Sequence, residues 1–271
     1  MQQVVVGAVV QPTTEVLELL GGEAVVLAGP DDLDGMWAAV ADGTTHLLLL
    51  GEDRHETLVR RHAALVSDRG VAVSWLTLPH GPAALVVLAL QAASVSLDAG
   101  LLPEFVRQLA ARTWSGAWTP SVSKLVDPAP SVGQHLRSWA PGGSGFVVTL
   151  SGDRGVVPVG GKGIGPGDGT GGSLYCAGSG IPDGARGHLV AASGATDLVE
   201  IDALRLDPEA RFGHARAVEL VALPSDERVP LPPASSLAGC VVCAAVVPGE
   251  FCSYCHVRPA GLPADPQGVT L

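Results

Sequence analysis

The residues with the clearest chemistry stand near the end of the chain. Cys240-Val-Val-Cys243 and Cys252-Ser-Tyr-Cys255 are two C-x2-C pairs separated by eight residues. Two residues between cysteines allow a tight turn that aims both thiolates at one ion, while backbone N–H groups of the turn donate to the sulfurs. Two such turns at the ends of a short hairpin close a tetrahedral shell of four sulfurs, which suits a structural Zn²⁺. Pro248-Gly249 supplies a turn between the pairs. The pattern predicts one structural zinc on Cys240, Cys243, Cys252 and Cys255, with neither water nor substrate in its shell. The same ligands would accept iron. Cys252-Ser-Tyr-Cys255-His256 also spells the C-x-x-C-H of c-type haem attachment. Haem attachment follows export, however, and the start Met-Gln-Gln-Val-Val-Val has no basic region or cleavage site. A redox pair is the remaining alternative, and two pairs at this spacing favour the metal. The fifth cysteine, Cys176, lies in the apolar run Leu174–Ala177 and reads as a small buried hydrophobe.

The stretch CVVCAAVVPGEFCSYC resembles the small zinc ribbons found at the ends of many bacterial proteins, over about 20 of the 271 residues. In that family glycine often follows each cysteine knuckle, whereas Ala244 and His256 stand there in this chain. The change is expected to strain each knuckle slightly without removing a ligand. The module carries little charge, with Glu250 inside the hairpin and Arg258 just after it, so a protein is its expected contact and nucleic acid is not.

A second constellation is acidic. Asp31, Asp32 and Asp34 follow Gly29-Pro30, Glu52 and Asp53 follow Gly51, and His80 follows a fourth apolar run. If these runs are parallel strands, the turns after them emerge at the carboxyl edge of the sheet, where ligands bind. There Asp31, Asp32, Glu52 and Asp53 could hold Mg²⁺, with His80 as acid–base partner, for a small phosphorylated or nucleotide-like ligand. The competing reading is capping, since Asp accepts the orphan N–H groups of a helix start and opposes its dipole. His55 and His62 lie seven residues apart on one helix face and are expected in solvent. No G-x-S-x-G elbow occurs, and Gly161-Lys162 lacks the upstream glycine of a phosphate loop because position 156 is Val. Gly167–Gly172 satisfies G-x-G-x-x-G, but the next residues, Ser173-Leu-Tyr-Cys-Ala, look like a strand instead of the helix that fingerprint requires. Residues 160–172 therefore read as a surface loop.

The elements that must position these groups alternate. Apolar, β-branched runs at Val4–Val10, Ala24–Ala28, His46–Leu50 and Val71–Leu78 are separated by stretches of helical spacing at Thr13–Leu20, Asp32–Ala41, His55–Asp68 and Gly81–Asp98. That order implies parallel strands in an open, doubly wound, Rossmann-like α/β domain over residues 1–112, closed by a helix at Leu101–Arg112. Residues 113–143 read as a linker with a short helix near Val132–Trp139, packed down by Trp114, Trp118 and Trp139. Strand-like runs at Phe146–Leu150, Gly155–Val159, Ser173–Ala177, His188–Ala192, Asp197–Ile201 and Ala215–Leu223 indicate a second, β-rich domain over residues 144–224. A Pro-rich linker (225–238), the zinc ribbon (239–258) and a loose tail (259–271) complete the chain.

Composition sets the outer bounds. The chain has 27 acidic and 16 basic residues for a formal charge of −11, which excludes a role coating nucleic acid. Apolar residues make up 47%, too many for a disordered chain. No apolar run approaches the ~18–20 residues of a membrane helix. These features indicate a cytoplasmic protein that does not enter a membrane. With no nucleophile, phosphate loop or cofactor signature beyond the zinc, the expected function is a non-catalytic adaptor or assembly subunit. It would dock a protein partner, as part of a homo- or hetero-oligomer, through its domains and tethered ribbon. The alternative is the Mg²⁺-dependent enzyme or binder of a small ligand at the first sheet.

Overall fold

Strands that are apolar along their whole length cannot leave either face in water, so both faces must be covered by helices. The computed structural model shows this, and describes residues 3–20, 25–40, 43–139, 143–161, 172–224, 229–233, 235 and 237–259. Strand β1 (Val4–Val9), helix α1 (Thr14–Leu20), β2 (Val25–Ala28), α2 (Leu33–Ala39), β3 (His46–Glu52), α3 (Glu56–Ser67), β4 (Ala72–Leu78) and α4 (Pro82–Ser94) follow one another. The four strands pair in parallel in the order β2-β1-β3-β4. Alternate residues go to opposite faces. Val6, Ala8, Leu48, Leu50 and Leu76 pack with α1 and α4, while Val5, Val9, Leu47, Leu49 and Val73 pack with Met36 of α2 and Val59, Ala63 and Val66 of α3. The strand order reverses between β1 and β3, so a doubly wound sheet of this order has its ligand crevice beyond the carboxyl ends of those two strands.

After α5 (Leu102–Arg112) the chain enters a second sheet: β5 (Trp114–Thr119), α6 (Val132–Ser138), β6 (Phe146–Thr149), β7 (Gly155–Pro158), β8 (Ser173–Ala177), α7 (Asp183–Ser193), β9 (Asp197–Glu200), α8 (Pro208–Phe212) and β10 (Val218–Ala222). Its order is β7-β6-β5-β10-β8-β9, antiparallel except for the β8–β9 pair. Trp114–Thr119, expected within a linker, is thus a buried strand near the middle of this sheet. Gly116, which made the segment look loose, is required there, because a Cβ would strike the Val148 carbonyl and the Trp114 ring. His188–Ala192, expected as a strand, lies within α7, whose Ala185 and Leu189 cover Trp118, Cys176 and Leu220. Trp114 and Trp118 are core residues, whereas Trp139 is 72% exposed and packs nothing down. Helix α6 begins at Ser131 with the reciprocal Ser131–Gln134 capping box.

The two sheets share one core. Ala89, Leu102, Val106 and Leu109 of α4 and α5 pack in the same cluster as Leu50 and Leu76 of the first sheet and Ala177 and Val221 of the second. Among the described residues no helix is long and apolar enough to cross a membrane. Residues Gly167–Gly171 of the glycine motif lie outside the described residues, as do 260–271 of the tail.

Leu49 is fully buried between the first sheet and α2 and α3. Leu49→Ala is expected to lower the unfolding free energy by about 2–5 kcal/mol, read by urea denaturation, without changing helix content.

Candidate functional site

Each cysteine pair folds into the same knuckle. The Cys240 N–H donates to the Ala245 carbonyl (2.8 Å) and Ala244 N–H returns to the Cys240 carbonyl (2.9 Å). Cys252 repeats the pattern with Val257 and His256, both at 2.9 Å. To close these turns the fifth residue of each must adopt a left-handed conformation. Ala244 (φ 61°) and His256 (φ 55°) are the non-glycine residues at positive φ among those described. The strain expected from the missing glycines is therefore present. The short strands β11 (Ala238–Gly239) and β12 (Val246–Val247) pair antiparallel beside the first knuckle. The four sulfurs all lie within 4.8 Å of one another, and Cys243 Sγ is 3.7 Å from Cys252 Sγ. A tetrahedral metal with sulfur bonds of about 2.3 Å needs its sulfurs about 3.8 Å apart, so the four thiols fit a bound ion. Val242 N–H points to Cys240 Sγ at 3.5 Å, one of the second-sphere donors a thiolate requires.

This module does not hang from a tether. Tyr254 donates its hydroxyl to the Ala99 carbonyl at 3.0 Å and meets His46 edge-on at 5.0 Å between ring centroids. Val246 N–H donates to Asp98 Oδ1 at 2.9 Å, and the same oxygen accepts from Gly100 N–H. Gly100 lies so close to Val246 that a Cβ there would overlap the Val246 backbone. Cys240, Ala245, Val247, Cys252 and Tyr254 pack with Ala99 and, less deeply, Val4 and Ala72, so the module covers the amino end of the first sheet. Val229 and Leu231 of the Pro-rich segment pack onto the shared core as well.

At the opposite, carboxyl end of that sheet, the acidic set is dispersed among structural duties. Asp32 caps α2 by accepting from Gly35 N–H at 2.8 Å, and Asp31 beside it is exposed. Glu52 is buried and accepts from Arg54 through both oxygens at 2.9 Å, while Arg211 Nε lies 2.7 Å from its Oε2. Arg211, itself buried, also donates to the Asp127 carbonyl at 2.8 Å. Arg154 bridges Asp53 and Asp127, each at 3.1 Å. Three arginines thus answer three carboxylates. Burial lowers the Arg211 pKa and Glu52 opposes it. Burial also lowers that of His55, aided by Arg54. His80 is buried, its Nε2 3.1 Å from both the Ala110 and Thr113 carbonyls at the end of α5, and burial holds its pKa below the usual value. His62, expected in solvent, is fully buried with Nε2 3.0 Å from the Pro30 carbonyl. Among the described residues the four cysteines are the one group of three or more metal-ligating side chains, and Asp31, Asp32, Glu52, Asp53 and His80 are not brought together in such a group. Cys176 is buried, which pushes its thiol up to about 12, far from a nucleophile's range.

The residue that sequence reasoning missed is Glu219 in β10. It is buried, and its two oxygens accept from Ala83 N–H at 3.0 Å and, through Oε1, from Ala84 N–H at 3.3 Å, at the start of α4. Burial pushes its carboxyl up to about 8, against the pull of those two amides. A signal was available: it is the single charge in the run Ala215–Leu223 apart from Arg216 at its start.

No family model matches the chain, and no curated protein matches it in sequence. Solved structures share its fold. A fatty-acid-binding DegV family protein from Thermus thermophilus superposes with a TM-score of 0.55 at 13% identity, over 82% of this chain and 100% of its own. A DegV family protein from Corynebacterium glutamicum gives 0.54 at 14%, over 84% and 99%. The fatty acid kinase (Fak) B3 protein of Streptococcus pneumoniae, loaded with linoleic acid, gives 0.51 at 8%, over 83% and 100%. These findings overturn the expected adaptor and its protein partner or further subunits. Two of these solved proteins are described as binding or loaded with a fatty acid, and in this chain the module meant to dock is itself packed against the first sheet.

Ala244 and His256 are both exposed, so replacing them disturbs no packing. Ala244→Gly and His256→Gly are each expected to raise stability by about 0.5–1 kcal/mol, the relief of left-handed strain less the added freedom of the unfolded chain. Chemical denaturation of the metal-loaded protein measures it.

Proposed function

We propose that this chain binds a small amphipathic carboxylic acid, a long-chain fatty acid, beyond the carboxyl ends of β1 and β3, and that its four cysteines hold a structural zinc. One observation carries the first part: the fold extends over all of two solved proteins described as binding or loaded with a fatty acid. The chemistry of the edge supports it. An acyl chain gains about 0.8 kcal/mol per buried CH₂, so affinity comes from apolar burial and the carboxylate needs only a cation near the surface. Arg54 and Arg154 are such cations, each with a third of its side chain exposed beside the β3 turn. Arg211 is buried in its own pairs and is not available.

The zinc reading rests on the donor set. Four thiols at tetrahedral separation favour zinc over hard cations, and zinc bound there would act as a cross-link, supplying no reaction chemistry. Cys240, Cys243, Cys252 and Cys255 hold it, and Tyr254 and Val246 transmit its rigidity to the Asp98–Gly100 turn.

Native mass spectrometry of the purified protein is expected to show an added mass of a C16–C18 fatty acid, and delipidated protein should be stabilised against heat by oleate. Arg54→Ala or Arg154→Ala should weaken oleate binding about tenfold, the loss of one charge-assisted hydrogen bond. Protein that carries no lipid and shows no shift with any fatty acid would overturn the ligand. Metal analysis should find about one zinc per chain, with a lower melting temperature after chelation; four freely titrating thiols in native protein would overturn the metal.

A further inference from the structure

Helix α4 starts at the carboxyl edge of the first sheet, where the fold offers a helix N-terminus to an anion. Its donors can be accounted for completely. Gly81 N–H donates to Ser115 Oγ at 3.0 Å, Pro82 has no N–H, Ala83 and Ala84 donate to Glu219, and Leu85 N–H already bonds the Gly81 carbonyl within the helix. Ser115 and Glu219 are side chains of adjacent strands of the second sheet, and both are buried. Ser115 is held in turn by Ser151, whose hydroxyl accepts from Ser115 N–H at 2.7 Å. The Glu219 side chain rises between Ala117 and Ala177, its small neighbours on either strand. It lies so close that a Cβ at Gly81 would strike its carboxyl group. A carboxyl group from 136 residues along the chain therefore sits where the head group of an external acid would sit, and leaves no donor over.

We infer that Glu219 is an internal ligand: it fills the carboxylate seat at the start of α4, and so excludes an external acid from that seat. Resting on the proposed fatty-acid binding, this makes Glu219 a specificity-determining residue. It directs an external head group away from α4 toward the partly exposed side chains of Arg54 and Arg154, which also hold Glu52, Asp53 and Asp127. The absence of an N–H at Pro82 fits the same design, since the seat then has two amides, which one carboxyl group satisfies.

Chemical rescue tests the seat without any lipid. Glu219→Ala leaves the Ala83 and Ala84 amides without acceptors, and its melting temperature should fall by at least about 4 °C. Formate or acetate should restore much of that loss in a saturable way, chloride at equal ionic strength should not, and the wild type should respond to neither. A variant insensitive to small carboxylates, or a wild type that responds equally, would overturn the inference. If Glu219→Ala does not fold, Glu219→Gln keeps the volume, and its amide must move the Ala83 and Ala84 amide resonances; unmoved resonances overturn the seat. With oleate, those two resonances should stay in place in the wild type and shift in Glu219→Ala. A shift in the wild type contradicts the exclusion. Failure of the wild type to bind oleate by any measure counts against the proposed function and leaves the formate result standing.

Discussion

Helix α4 lies between the two sheets, and its first turn is buried where they meet. Buried N–H groups need acceptors, and here these come from the second sheet as Ser115 and Glu219. That single requirement ties the register of β5 and β10 to the start of α4. The arginine and carboxylate network around Glu52 and Arg211 then fastens the same joint from the side of β3. Such buried pairs contribute little net stability when complete, but removing one member strands a charge, so their main effect is to hold one arrangement of the two sheets.

The cysteine module braces the other end of the sheet. Its hydrogen bonds to Ala99 and Asp98 begin the turn that leads into α5, and α5 ends on the carbonyls that receive His80. A segment of about 20 residues cannot bury enough apolar surface to order itself. A bound metal would supply the missing free energy, since apparent values of about 10–16 kcal/mol are typical of four-ligand zinc sites. That energy would hold the two knuckles, in which alanine and histidine take a conformation that favours glycine. The cysteine module is not a free docking piece, because Tyr254, Val247 and Cys252 are buried against the sheet.

What the sequence revealed follows from how local each signal is. The first sheet was legible because its β-branched runs and helical stretches alternate within about twenty residues, and the cysteine ligands because two-residue spacing is itself the geometry. Trp114–Thr119 was not, since Ser115 and Gly116 look like loop residues until the Val148 backbone is seen against Gly116. His188–Ala192 misled because an apolar run of five fits a strand or a helix equally. The acidic edge was placed at the right end of the sheet, but its partners Arg154 and Arg211 come from the far half of the chain. No local pattern could show that Asp31 and Asp32 stay outside the network while Glu52 is enclosed by it. The lone glutamate in β10 was visible, and its meaning was not.

Fatty-acid binding at the carboxyl edge requires that a small acid touch this protein there and not at the cysteine module. Mapping amide chemical shifts during titration with a fatty acid tests that directly. The predicted result is movement of residues 10–13, 29–31 and 52–55 at the carboxyl edge, saturating at one ligand per chain, with the knuckle residues 240–256 unmoved. Shifts confined to 240–256, or none anywhere at saturating fatty acid, would contradict it.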